Sequence, residues 1–371
     1  MSPATGLSQP SRKSAAWKYA YTPLLNMGFY HKPETTEEFR EFYRRLETKN
    51  AAPLWESLAE LVPVVPRPRS VPTMWRYDEI RPFVLESGKL ITAKDAERRV
   101  LILENPGMRG FSQITDTLYA GLQLILPGET APTHRHTASA LRFIIEGTGA
   151  YTAVDGERTT MHPGDFILTP SWTYHDHGNP SDTPTIWMDG LDIPLVNLFN
   201  TGFAEHHPQE IQPVTKKEGD AWARYGGSLM PVEYTHPGNS SPIFNYPYAR
   251  TRETLDQLYR NGPLHPCHGI KMQYINPANG GSTMPAIGAF VQLLPPGFRG
   301  AAHRATDATV FCVIEGRGRT RIGETVFDWK DHDIFVAPSW YPVTHEAQVE
   351  SVLFSFSDRP IQKSLGIWRE E

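Results

Sequence analysis

The second half of this chain repeats the first, and that repeat limits the possible folds more than any composition does. Asn105-Pro106-Gly107 matches Asn276-Pro277-Ala278, and Leu126-Pro127-Gly128 matches Pro295-Pro296-Gly297. His134-Arg135 matches His303-Arg304, and Ile144-Ile145-Glu146-Gly147 matches Val313-Ile314-Glu315-Gly316. Thr169-Pro170-Ser171-Trp172 matches Ala337-Pro338-Ser339-Trp340. From His134 to Gly147, and from His303 to Gly316, the step is the same 13 positions. Ordered matches at a near-constant offset mean two copies of one fold.

Within the first copy the pattern is strand and turn. Residues 100–103, 117–126, 141–145, 150–154 and 165–169 are short apolar runs, parted by Asn105-Pro106-Gly107, Gly147-Thr148-Gly149 and Asp155-Gly156. Short strands with such punctuation predict a β-barrel or jelly roll. The fold class is therefore all-β dominated, with two barrels behind N-terminal helices. The expected division is 1–94 for an arm and helices, 95–200 for the first barrel, 201–262 for a linker with a short helix, and 263–371 for the second barrel. Thr35 or Thr36 caps a first helix with Phe39, Tyr43 and Leu46 at helical spacing. Leu54, Leu58 and Leu61 mark a second, residues 77–86 a third and residues 252–259 a fourth. From the arm, Trp17, Tyr19, Tyr21, Leu24 and Leu25 are expected to pack onto the body.

Bulk properties exclude several classes. A net charge of -5 gives no footprint for nucleic acid and no polybasic membrane patch. No apolar run reaches the ~18 residues of a membrane span. The Ser/Pro-rich start lacks a signal-peptide core, so a cytoplasmic location is expected. Cys267 and Cys312 stand in unrelated contexts, which fits two buried reduced thiols and not a disulfide scaffold or a thiolate zinc site.

The chemistry gathers at Pro132-Thr133-His134-Arg135-His136 and Tyr174-His175-Asp176-His177. On a strand, His134 and His136 point to one face, and His175 can complete a set of three imidazoles around one ion. Arg142 lies on an apolar strand with matching parity, so it either faces outward or anchors a carboxylate in the pocket. His177 shares the face of His175 and is a candidate acid/base or hydrogen-bonding group. Asp189 is a candidate to orient His177 or a ligand. Of Arg98 and Arg99 only one can face in. Tyr119, Gly121 and Gln123 alternate along the strand leading to the histidines and could line the cavity. In the second copy Ala305 and Val343 stand in the places of His136 and His175, and His345 in that of His177. One imidazole does not hold a catalytic metal, so that barrel reads as structural or interface-forming.

Gly128, His134, His136 and Gly147, then Gly164, Pro170, His175 and Asn179, follow the two signatures of the cupin superfamily. The chain resembles a bicupin over residues 95–371. Where cupins commonly place a glutamate ligand, this chain has Ala140. Three neutral histidines leave a divalent ion its full charge, which favours a chelating anionic substrate. The motifs Glu129-Thr130-Ala131-Pro132-Thr133-His134-Arg135-His136, Ser139-Ala140-Leu141-Arg142-Phe143 and Asp189-Gly190-Leu191-Asp192-Ile193-Pro194 resemble the gentisate 1,2-dioxygenase family, with its salicylate and 1-hydroxy-2-naphthoate 1,2-dioxygenase members.

That resemblance implies an Fe(II)-dependent ring-cleaving dioxygenase, with iron on His134, His136 and His175. A small aromatic 2-hydroxy acid and dioxygen would be its partners, with gentisate opened between carbons 1 and 2 to maleylpyruvate. It further implies that Arg142, Arg98 and His177 contact the substrate, that Asp189 supports them, and that the chain forms a homotetramer. Two alternatives stay open here: salicylate or 1-hydroxy-2-naphthoate as substrate, and a non-oxidative metal-binding bicupin that isomerises or binds a ligand.

Overall fold

The computed structural model describes residues 34–234 and 238–371. The expected packing of Trp17, Tyr19, Tyr21, Leu24 and Leu25 lies outside the described residues. Two compact units divide at Val65 and Pro66.

The first unit holds α1 (Glu37–Glu47) and α2 (Leu54–Leu61). Thr36 caps α1 by accepting from the Phe39 amide at 3.3 Å, and Glu37 and Glu38 sit in the first turn, where the helix dipole favours anions. The Tyr43 hydroxyl donates to Glu56 at 2.9 Å and accepts from the Trp55 indole at 2.8 Å, which ties the helices together. Neither helix buries a residue, and Leu54, Trp55 and Leu61 are exposed.

The second unit opens with β1 (Thr73–Trp75) and α3 (Tyr77–Leu90). The first barrel comprises β2 (Val100–Ile102), β3 (Tyr119–Ile125), β4 (Thr130–His136), β5 (Ala140–Glu146), β6 (Tyr151–Val154), β7 (Glu157–Thr160), β8 (Phe166–Thr169), β9 (His175–Gly178) and β10 (Thr185–Leu191). Then come α4 (Ile193–Leu198), β11 (Ala204–His206), α5 (Asp220–Tyr225), β12 (Asn245–Tyr246) and α6 (Tyr248–Asn261). The second barrel runs through β13 (Ile270–Gln273), β14 (Gly288–Leu294), β15 (Thr309–Glu315), β16 (Arg317–Ile322), β17 (Thr325–Lys330), β18 (Ile334–Ala337), β19 (Val343–Ala347) and β20 (Ser351–Ser357), and α7 (Arg359–Ser364) follows.

In the first barrel a six-stranded sheet, β12-β8-β5-β10-β3-β2, is paired with a five-stranded sheet, β11-β4-β9-β6-β7. The second repeats the plan with β1-β18-β15-β20-β14-β13 and β17-β16-β19. The large sheets of the two barrels share one apolar core, which is why Leu141, Phe143 and Ile145 of β5 and Val352, Phe354 and Phe356 of β20 are buried. Phe143 stacks on Phe354 at 4.4 Å between centroids. Gly190 makes room for Phe356 of the second barrel, since a Cβ there would lie 2.7 Å from that ring. Each fully buried aromatic contributes about 1.5–3 kcal/mol relative to exposure.

The barrels exchange their edge strands. β1 precedes the first barrel but pairs with β18 of the second, while β12 precedes the second but pairs with β8 of the first. Matching aspartates fix the crossing. The Tyr77 amide donates to Asp333 and the Tyr248 amide to Asp165, both at 2.9 Å. Residues 201–262, expected as a linker, therefore complete sheets of the first barrel through β11 and β12. Two helices also exceed their expected spans: α3 continues to Leu90, and α6 begins at Tyr248. Cys312 is buried as expected, but Cys267 is half-buried at the mouth of the second barrel.

Asp358 joins the repeats. Its buried carboxylate accepts from the Ala308 amide at 2.9 Å, and from Thr117 of the first barrel at 2.9 Å. Asp358→Ala is expected to cost about 1–3 kcal/mol by stranding these donors, and Asp358→Asn less. Burial pushes Asp358 up to about 6. A raised carboxyl favours folding below its unfolded value, and that contribution is lost as pH rises through about 6. Thermal unfolding between pH 4 and 7 is expected to show this decline in the wild type, and a shallower one in Asp358→Asn.

Candidate metal centre

β4 and β9 bring the three imidazoles together. They pair antiparallel with His134 opposite His175, and the alternation of β4 puts His134 and His136 on the barrel's inner face. Ring centroids lie 5.3 Å apart for His134–His136, 4.7 Å for His134–His175 and 4.9 Å for His136–His175. One ligand atom from each falls within 4.8 Å of the others, the one such metal-competent group among the described residues. Two rings are aimed by the backbone. His136 Nδ1 meets the Ala138 carbonyl at 2.7 Å and His175 Nδ1 meets the Thr173 carbonyl at 3.0 Å, so each leaves Nε2 for a metal. Burial pushes His136 down to about 4, and burial followed by the nearby arginines pushes His175 well down. Neutral imidazole is the ligating form, so the donor set fits a divalent transition metal.

Above the histidines opens a cavity of about 440 Å³. Its walls are mostly apolar, with Val100, Leu191, Ile193 and Phe203, and Ala140 lines it where a carboxylate ligand would stand. Two guanidiniums enter. Arg98 faces the cavity and reaches the His175 carbonyl at 3.5 Å, whereas Arg99 turns away into a buried pair with Glu129 at 2.5 Å. Arg142 is buried, and its Nη1 donates to Thr169 Oγ1 at 2.6 Å. Burial, then Arg142, lowers Arg98 to about 9, and burial lowers Arg142 to about 10, so both stay charged at neutral pH.

The structure redistributes the remaining candidates. Asp189 orients Arg142 and not His177: the two are register partners on β10 and β5, with Nε and Oδ1 at 3.8 Å. Asp189 also accepts from the Trp187 indole at 2.9 Å, and burial raises it to about 6. His177 shares the parity of His175 but does not line the cavity. It is fully buried behind His175, with Nδ1 at 3.0 Å from Thr152 Oγ1 and Nε2 unpartnered among the described residues. Tyr119 and Gln123 line the cavity. Gly121, between them, lines nothing, because Val100 occupies the space a side chain would need. Thr169, Val100 and the wall from Leu191 to Ala204 escaped sequence reading. The motif Asp189-Gly190-Leu191-Asp192-Ile193-Pro194 was the available signal for the start of that wall, at Leu191 and Ile193.

Gly121→Ala is expected to press on this wall. Its Cβ would lie 2.4 Å from Val100 Cγ1 and 3.2 Å from the Tyr119 hydroxyl. Overpacking of this kind costs about 1–3 kcal/mol. A lowered unfolding midpoint with a raised KM is the expected result, and wild-type values for both would show that the wall yields freely.

A cupin-domain family model matches residues 121–193. Gentisate 1,2 dioxygenase 1 of Aquipseudomonas alcaligenes is 58% identical over 93% of this chain and 99% of its own length. The 1-hydroxy-2-naphthoate 1,2-dioxygenase of a Nocardioides species is 34% identical over 82% of this chain and 80% of its own. Among solved structures, the salicylate 1,2-dioxygenase of Pseudaminobacter salicylatoxidans superposes with a TM-score of 0.86 at 34% identity, covering 91% of this chain and 99% of that one. That enzyme has also been solved as adducts with gentisate, with a TM-score of 0.85 at 34% identity over 91% of this chain and 95% of that one. With two barrels, three convergent imidazoles and full-length relatives of this kind, the chain belongs to the gentisate 1,2-dioxygenase family of ring-cleaving cupin dioxygenases.

Proposed function

We propose that the chain is an Fe(II)-dependent dioxygenase that opens gentisate between carbons 1 and 2 to give maleylpyruvate. The observation that carries this reading is the pairing of a carboxylate-free imidazole triad with two cavity-facing guanidiniums. Such a site is strongly cationic and matches a small aromatic acid with an adjacent hydroxyl. The 58% identical relative and the gentisate adducts of the salicylate enzyme support the substrate.

His134, His136 and His175 would hold the ferrous ion. When bound, the ion supplies a chelation point for the carboxylate and 2-hydroxyl, together with the redox chemistry that dioxygen requires. Arg142 and Arg98 bind and orient the carboxylate, and guanidinium geometry suits that task. Asp189 and Thr169 hold Arg142 in place from two sides. Burial keeps the Tyr119 hydroxyl protonated, so it serves as a donor towards the ring substituents. Val100, Leu191 and Ile193 grip the ring and exclude water. His177 acts from behind His175 as a positioning residue, without touching the acid. The exposed apolar side chains of α1 and α2 support assembly into a homo-oligomer, read as a tetramer.

A cavity of about 440 Å³ also admits 1-hydroxy-2-naphthoate, and the relatives that act on that acid and on salicylate keep a second reading within the family, with one of those two preferred. Oxygen uptake with ferrous-reconstituted protein across the three acids separates them. Gentisate is expected to give a kcat/KM at least about 10-fold above the others, a gap of about 1.4 kcal/mol. A reversed order reassigns the substrate. No uptake with any of them leaves a non-oxidative bicupin.

A further inference from the structure

The second barrel has lost the ligand set but not its cavity. A pocket of about 40 Å³ remains inside it. On the scale where one water needs about 10–15 Å³, that holds roughly three water-sized atoms. The residues around it have changed in kind. Of the three ligand positions only that of His134 keeps an imidazole, His303, and Phe311 replaces Arg142; His268 and His345 line the pocket from other positions. In exchange, Lys271 of β13 lies opposite Gln292, just as Val100 of β2 lies opposite Gln123. A cation thus stands in the second cavity where the first has an apolar wall.

Arg359 supplies a second cation. The Lys271 ammonium and the Arg359 guanidinium both approach the Phe290 ring, each at 5.2 Å from its centroid. One lining carboxylate, Asp307, opposes them, and it is already engaged. It accepts from Arg359 at 3.2 Å and from the Trp368 indole at 2.7 Å. Among the described residues Lys271 makes no ion pair and no side-chain hydrogen bond. Burial, then Arg359, pulls Lys271 down to about 8, while burial holds His268 and His345 neutral. Two cations thus line the cavity against the one carboxylate of Asp307, while Glu370 stands at the mouth with its carboxylate 3.1 Å from His303 Nε2.

A second observation points the same way. Gln292 and Ser355 lie on the inner face of β14 and β20, both fully buried. Both side-chain polar atoms of Gln292 and the Ser355 hydroxyl have no partner among the described residues. Buried polar groups are normally satisfied, so an unmatched ammonium on the lining, with orphaned donor and acceptor atoms on the strands behind it, marks a binding site. The C-terminus covers the mouth: Arg304 and Glu371 exchange backbone hydrogen bonds at 2.8 Å, and Glu370 bridges to Ala305. Only a small occupant fits beneath it.

We propose that the second barrel binds a small carboxylate monoanion, formate or acetate in size, between the Lys271 ammonium and the Arg359 guanidinium. The site is separate from the ring-cleaving centre, and the proposal stands whichever substrate that centre prefers.

The test is thermal unfolding of the metal-loaded, full-length protein in sodium formate, acetate, chloride or sulfate at one ionic strength, for the wild type and Lys271→Met. Formate or acetate is expected to raise the wild-type midpoint saturably, by about 5 °C at roughly 100 times Kd. Lys271→Met should retain metal and ring-cleaving activity but lose the shift. Carboxylate binding at the iron acts equally on both proteins, so only the difference reports the second barrel. An equal shift in both proteins overturns the proposal. So does the absence of any shift, which leaves water alone in the cavity, and so does a chloride effect as large as that of formate. Should Lys271→Met fail to fold, saturation-transfer NMR of ¹³C-formate with the wild type decides, under argon and with the first cavity blocked by excess salicylate, which is too large for the second. Transfer that acetate displaces supports the site, and its absence overturns it.

Discussion

His136→Ala is expected to empty the first barrel of metal and abolish turnover. The reason is geometric. The three rings converge within 4.8 Å, and no carboxylate stands by to replace a lost donor, since Ala140 occupies the usual place. Removing a group that merely supports a ligand already costs 10–100-fold in metal affinity, so losing a ligand is expected to cost more than about 100-fold. His136 is half-buried at the mouth, and among the described residues its side chain hydrogen-bonds only to the Ala138 carbonyl, so the fold should tolerate alanine. His303→Ala is the control: it removes the counterpart of His134 in a barrel with no triad. Metal content by elemental analysis is expected to fall near zero in His136→Ala and to stay unchanged in His303→Ala. Full occupancy in His136→Ala would remove this residue from the ligand set.

Arg142→Ala is expected to give the second large effect. Arg142 is buried beside Asp189, and the proposed acid brings a carboxylate to it. Truncating one partner of a buried, hydrogen-bonded charge pair costs about 2–5 kcal/mol, which is about 30- to 3,000-fold in kcat/KM. The loss should appear chiefly in KM, because the guanidinium binds the acid without reacting. A further sign follows for Asp189. Burial raises its carboxyl to about 6, and Arg142 works against that rise. Without Arg142 the carboxyl rises further, so the variant should hold Asp189 neutral at higher pH. Arg142→Lys keeps the charge but not the fork, and should recover only part of the loss. An unchanged KM in Arg142→Ala would take this residue out of the substrate site.

Strand parity explains what was legible beforehand. Period two alone puts His134 and His136 on one face. It leaves Arg142 either outward or in the pocket, and β5 carries it into the cavity. The repeat revealed two barrels and the degenerate triad of the second. Parity carries no depth, however. His177 shares the face of His175, but β9 runs inward, so His177 is sealed beneath the site. Nor does parity carry cross-strand register. Asp189 meets Arg142 because β10 and β5 pair at that step, which no local pattern encodes. Gly121 faces the expected way, but Val100 from β2 takes the space. The exchanged edge strands escaped for a different reason. β1 and β12 have three and two residues, too few for any period to show. Their assignment depends on Asp333 and Asp165, each far along the chain from the tyrosine amide it fixes.

Ring cleavage by dioxygen at this cationic triad site has a stoichiometric signature. Simultaneous oxygen-electrode and absorbance recording on the ferrous-reconstituted protein with gentisate reads it. One dioxygen consumed per gentisate, with a ring-opened ketoacid appearing at the same rate and no reaction under argon, is the expected result. Gentisate turned over without oxygen uptake, or oxygen consumed with the ring left intact, would contradict it.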